Sequence, residues 1–86
     1  MDINYHQLLE WLTKKSLELT QDEHTTKYAM KSKLTKKEYK IILHLFADGE
    51  IDEIAEKLNL DQKRVSELLE SARKKVVSNL GKFAKI

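Results

Sequence analysis

A small all-α domain of four or five helices is the fold this chain predicts, and three observations carry that expectation. Apolar residues recur at three- and four-residue spacing over most of its 86 residues, the period of a helix with one buried face. Proline is absent and only two glycines are present, so few residues interrupt that period. Helix-start signals supply the punctuation instead, as at Thr35 and Glu38, which have capping-box spacing.

The first helix is expected from Asp2 to about Leu19, where Tyr5, Leu8, Leu9, Leu12, Ser16 and Leu19 share a face bordered by Trp11. Asp2 or Asn4 supplies its N-cap. Thr20 to Ser32 is polar and Thr25-Thr26 weakens helix there, yet Asp22-Glu23 before Tyr28, Ala29 and Met30 permits a short one.

A third helix starts at Thr35. Thr35 and Glu38 have capping-box spacing, and Leu34 and Tyr39 have that of a hydrophobic staple. Its apolar face is Tyr39, Ile42, Leu43 and Phe46, widened by Ile41 and Leu45, and Asp48-Gly49 ends it, with glycine expected in the left-handed conformation. A fourth helix spans about Glu50 to Leu58, turning Ile51, Ile54, Ala55 and Leu58 inward and placing Asp52 and Glu53 in the first turn, where negative charge suits the helix dipole.

Asn59-Leu60-Asp61 then joins it to a fifth helix. Asn59 tolerates left-handed geometry, Leu60 plugs the core and Asp61 caps. From Gln62 the buried stripe is Val65, Leu68, Leu69, Ala72 and Val76, continuing through Val77, Leu80 and Phe83 until Gly81 interrupts it. The last residues are expected as a frayed extension or as a tail docked on a partner.

Two short amphipathic helices joined by such a link form the pattern of a helix-turn-helix, whose second helix can enter a DNA major groove. A net charge of +2 says little about partners, but its distribution says more. Lys27, Lys31, Lys33, Lys36, Lys37 and Lys40 face the single acid Glu38, whereas Asp48 to Asp61 holds six acids and only Lys57. Lys63, Arg64, Arg73, Lys74, Lys75, Lys82 and Lys85 then outnumber Glu67 and Glu70. Two basic blocks therefore flank an acidic helix.

The resulting expectation is a sequence-specific regulator of transcription that binds double-stranded DNA with a recognition helix from about Gln62 to Lys75. Gln62, Lys63, Arg64, Ser66 and Glu67 are the base-reading candidates, with Arg64 suited to a bidentate contact to guanine, Gln62 to adenine and Glu67 to cytosine. Lys36, Lys37, Lys40, Arg73 and Lys74 are the phosphate-binding candidates that set register. The bland alternative for Arg64 is a surface ion pair with Glu67, worth ~0.2–0.5 kcal/mol. Glu67 and Glu70 favour a second alternative, a module that docks on RNA polymerase or another regulator.

Leu34 to Val76 resembles the C-terminal DNA-binding region of bacterial sigma factors, region four, and more loosely the LuxR-type helix-turn-helix. Leu34, Glu38, Ile41, Ile42, Phe46 and Gly49 are similar to that region's first helix, and Glu53-Ile54-Ala55 with Leu58 looks like its most specific string. Lys63, Arg64 and Glu67 fall where sigma factors place side chains that reach DNA, and Ala72-Arg73-Lys74-Lys75 resembles the basic end of the recognition helix. The resemblance implies a helix-turn-helix fold and DNA binding. The link from Gly49 to Ile54 is one residue shorter than in that family, Glu50 stands in place of a hydroxyl cap, and Ser66 replaces a common basic residue. Residues 1–33 match nothing in it, nor are the sigma regions that bind core polymerase and melt promoters matched.

The expected organisation is an N-terminal helix and polar connection at 1–33, the helix-turn-helix at 34–76 and a basic tail at 77–86. Tyr5, Leu8, Leu9, Trp11 and Leu12 offer the first segment two uses, completing the core of its own subunit or forming a homodimer that presents two recognition helices. Catalysis is not expected. His6, His24 and His44 suggest neither a zinc site nor a dyad, no glycine-rich phosphate loop is present, and no hydroxyl sits in a nucleophile context. No cofactor or metal is expected. Without cysteine there are no disulfides, and without a leader or an apolar run of ~18 residues the expected setting is the cytoplasm rather than a membrane.

Overall fold

The computed structural model describes residues 3–19, 22–79, 81 and 84–85 and is all-α, with five helices. Helix α1 spans Tyr5–Thr13, α2 Glu23–Lys33, α3 Lys36–Phe46, α4 Ile51–Lys57 and α5 Gln62–Ser78. Two-residue strands, β1 (Glu18–Leu19) and β2 (Ala84–Lys85), pair antiparallel.

Local capping chemistry sets most of the boundaries. Asn4 accepts from the Gln7 amide, Asp22 from Thr25 and Asp61 from Arg64, at 3.0, 2.7 and 2.7 Å. Each satisfies an amide that the helix itself leaves without a partner. Asp2, the other expected cap of α1, lies outside the described residues. Thr35 and Glu38 complete their capping box: the Glu38 amide donates to Thr35 Oγ1 and the Thr35 amide to Glu38 Oε1, at 3.1 and 2.9 Å. At α4 the Glu50 amide donates to Glu53 Oε1 at 2.9 Å.

Three elements differ from the sequence expectation. Helix α1 stops at Thr13 because Lys14 adopts the left-handed conformation (φ 60°) and closes the helix onto the Glu10 carbonyl. Beyond it, His6 Nε2 donates to the Leu17 carbonyl and Glu10 Oε2 accepts from the Leu17 amide. Leu17 is thereby pulled into the core while Leu19 enters β1, so the helical spacing of Ser16 and Leu19 does not reflect a helix. At the end of α3 it is Asp48, not Gly49, that takes the left-handed turn (φ 64°). Gly49 is needed for a different reason: a Cβ there would overlap the ring of His44. Val77 is 41% exposed and leaves the expected buried stripe, while Leu80 and Phe83 lie outside the described residues. The tail does not await a partner at Ala84–Lys85, since that segment pairs with β1 of its own chain.

The core has two parts with α3 and α5 as their common spine. Tyr5, Leu8, Leu9 and Leu12 of α1, with Leu17, Met30, Ile42, Ala72 and Val76, fill the first. Ile41, Ile54, Ala55 and Val65 fill the second, with Leu58, Leu60 and Leu68 packed against it. Adjacent residues Ile41 and Ile42 thus serve different cores, and α5 gives Val65 to one and Ala72 and Val76 to the other. Tyr5, Leu8, Leu9 and Leu12 of α1 thus complete the core of their own subunit, the first of the two uses expected of this helix, while Trp11 at its border is 37% exposed.

Candidate nucleic-acid interface

The link between α4 and α5 has the chemistry its sequence requires. Asn59 is left-handed (φ 57°), Leu60 donates its amide to the Ala55 carbonyl at 2.8 Å, and Asp61 caps α5. The second core holds the inner side of the first turns of α5 through Val65. Gln62, Lys63, Arg64, Ser66 and Glu67 are all exposed on the other sides.

Their directions differ. With 3.6 residues per turn, Lys63, Glu67, Glu70 and Lys74 lie opposite Val65, Ala72 and Val76 and point straight outward. Arg64, Leu68, Ser71 and Lys75 form a separate stripe along one flank. That flank faces α3, because Lys75 Nζ lies 2.8 Å from Glu38 Oε1. The Glu38 carboxylate is 1% exposed. Burial pushes its pKa up, but the Lys75 ammonium, the Thr35 amide and the Ser71 hydroxyl outweigh that and hold it below the ordinary carboxylate value.

Pinning α3 against this flank brings distant cations together. Lys36 and Lys37 at the start of α3 and Arg64 on α5 line one surface cleft with Thr35, Leu60 and Leu68. Lys40 and Lys74 are exposed as well. Among the described residues no ion pair engages Lys36, Lys37, Lys40, Lys63 or Lys74. Arg64 has only the loose pair with Glu67 anticipated from their spacing, at 3.9 Å with both side chains more than half exposed. Such pairs contribute ~0.2–1 kcal/mol and are easily exchanged.

Arg73 does not join this set. Its Nε donates to the Leu12 carbonyl at 2.7 Å and its guanidinium also binds Glu70, leaving the side chain 23% exposed. It covers a carbonyl at the end of α1 and ties α5 to that helix, so the phosphate-binding candidates reduce to Lys36, Lys37, Lys40 and Lys74. Glu70, which weighed against a DNA-facing helix, is occupied by the same contact.

No family model, curated protein or solved structure matches the chain. The arrangement of its side chains therefore carries the functional reading by itself.

Sequence reasoning missed the Glu38–Lys75 pair, whose partners are 37 residues apart, and the cleft it creates. One signal was present: Glu38 is a lone acid among six lysines, and Arg64, Leu68, Ser71 and Lys75 have the spacing of a helical stripe. The histidines also have partners that went unread. His6 and Glu10 approach to 3.4 Å, and His44 Nε2 donates to the Glu50 carbonyl at 3.0 Å and lies 3.7 Å from Glu53. Both sets of contacts brace turns. Among the described residues no group of three or more His, Cys, Asp or Glu side chains is placed to hold a metal ion, and no helix is long and apolar enough to cross a membrane.

Proposed function

We propose that this chain binds double-stranded DNA as a sequence-specific regulator of transcription, with the N-terminal half of α5 in the major groove. The observation that supports this most is the convergence of Lys36, Lys37 and Arg64, from two helices, on one cleft beside the exposed first turns of α5. A duplex laid along α5 meets polar side chains able to read base edges at Gln62, Lys63, Ser66 and Glu67. The lysines of α3 stand beside them for the sugar-phosphate backbone, and backbone contacts set the register in which bases are read.

Helix α4 presents an acidic surface. Asp52, Glu53 and Glu56 are exposed and would repel phosphate, so the duplex follows α3 and α5 and avoids α4. That acidic face suits the second reading, docking on RNA polymerase or another regulator, and the two are compatible in one protein.

Salt dependence of binding tests the first reading. Affinity for short duplexes, followed by fluorescence anisotropy, is expected to fall steeply between about 50 and 200 mM salt as condensed counterions are released. Lys36→Ala weakens every duplex alike. Absence of duplex binding at low salt would leave protein docking as the function.

A further inference from the structure

We propose that the cleft between α3 and α5 seats one backbone phosphate of the bound duplex, held jointly by Lys36, Lys37 and Arg64, so that Arg64 fixes register and does not read a base. This inference rests on the DNA-binding reading and changes the role the sequence suggests for its most prominent arginine.

Two independent features carry it. The first is the cleft itself, which gathers the three cations from two helices above the apolar floor of Leu60 and Leu68. The leucines supply no competing anion, and the backbone phosphate is the anionic group of a duplex, the one that converging cations attract. The second is the helical position of Arg64. It shares the flank of Leu68, Ser71 and Lys75, which is fixed against α3 by the Lys75–Glu38 ion pair. Lys63 and Glu67 point outward from the helix, whereas Arg64 points along its side toward Lys36 and Lys37. A major-groove helix presents its outermost stripe to base edges and its flanks to the two phosphate strands. Arg64 therefore occupies a strand-facing position, and Lys63 and Glu67 on the outermost stripe, with Gln62 at the N-terminal tip of α5, are left to read bases. The loose Arg64–Glu67 pair at 3.9 Å is exchanged for the phosphate on binding.

The test compares wild type, Arg64→Ala and Arg64→Lys for affinity against salt and for the motif each selects from a random duplex pool. Because Arg64 is exposed, all three are expected to melt alike by circular dichroism. If Arg64 binds phosphate, Arg64→Ala weakens every duplex by the same factor, keeps the selected motif and lowers the salt slope by about 1. The wild-type advantage then shrinks by about 3.5-fold between 50 and 200 mM salt. Arg64→Lys restores the slope, because a point charge satisfies a phosphate. Joint occupancy further requires that removing Arg64 cost less in a Lys36→Ala/Lys37→Ala background than in wild type. A loss confined to the preferred sequence, with one motif position relaxed, the slope unchanged and no rescue by lysine, would overturn the phosphate seat and leave DNA binding intact. Failure of the wild type itself to bind any duplex would overturn both.

Discussion

The Lys75 ammonium lies 2.8 Å from a Glu38 carboxylate that is otherwise sealed from solvent, and this pair fixes the start of α3 against the flank of α5. Its geometry makes it an element of the proposed interface, because it sets Lys36 and Lys37 of α3 beside Arg64 of α5. Removing the lysine leaves a buried charge with only the Thr35 amide and the Ser71 hydroxyl as partners. Lys75→Met is expected to cost about 2–3 kcal/mol in chemical denaturation, and adding Glu38→Gln to it recovers part of that loss.

The same pair makes stability depend on acid. Glu38 has a depressed pKa in the folded chain, so the stabilisation is present above its unfolded value of about 4.3 and is lost as pH falls through the folded value. Wild type should lose stability over that range more steeply than Glu38→Gln. Denaturation midpoints measured at successive pH values from neutral downward give the comparison, and parallel curves would remove Glu38 as the source.

At alkaline pH the responsible group is Tyr39. Burial, reinforced by its 2.6 Å hydrogen bond with the Tyr5 hydroxyl, raises its pKa above the ordinary tyrosine value. A raised pKa means that the contribution to stability is complete below the unfolded value of about 10 and declines as pH rises toward the folded one. Spectroscopic titration should find Tyr39 ionising above the ordinary tyrosine range, and Tyr5→Phe should bring its transition down.

Gly49 is required by the close approach of the His44 ring and not by a left-handed backbone. Gly49→Ala is expected to destabilise by about 1–3 kcal/mol, the usual cost of overpacking. His44→Ala opens the space, so the double variant should lose less than the sum of the two single losses. Additive losses in a double-mutant cycle would point to the backbone instead.

Asp61 caps α5 at the turn nearest the proposed base contacts. Asp61→Ala should cost about 0.5–2 kcal/mol and Asp61→Asn considerably less, since asparagine caps about as well. Thermal melts of the two variants distinguish a cap from a merely charged surface residue.

The fold was legible where its causes are local. Thr35 and Glu38, Asn59 and Asp61 each act within four residues, and all perform the expected task. Spacing was misleading where long-range contacts overrule it. Leu19 has the period of α1, but Lys14 closes that helix and His6 and Glu10 capture Leu17. Arg73 reads as one more cation of a basic run, and only folding shows that the end of α1 lies beside it. For the candidate interface, the exposed half of α5 was readable from its own periodicity. The cleft was not, because it depends on α3 and α5 being held together by residues far apart in sequence.

The central claim is that α5 and the start of α3 form a DNA-binding face, and selection from a random duplex pool at two salt concentrations tests it most directly. The account predicts an enriched motif, retention that weakens as salt rises, and a Gln62→Ala variant that relaxes one motif position at a cost of about 1–3 kcal/mol. No retention of any duplex at low salt would contradict it.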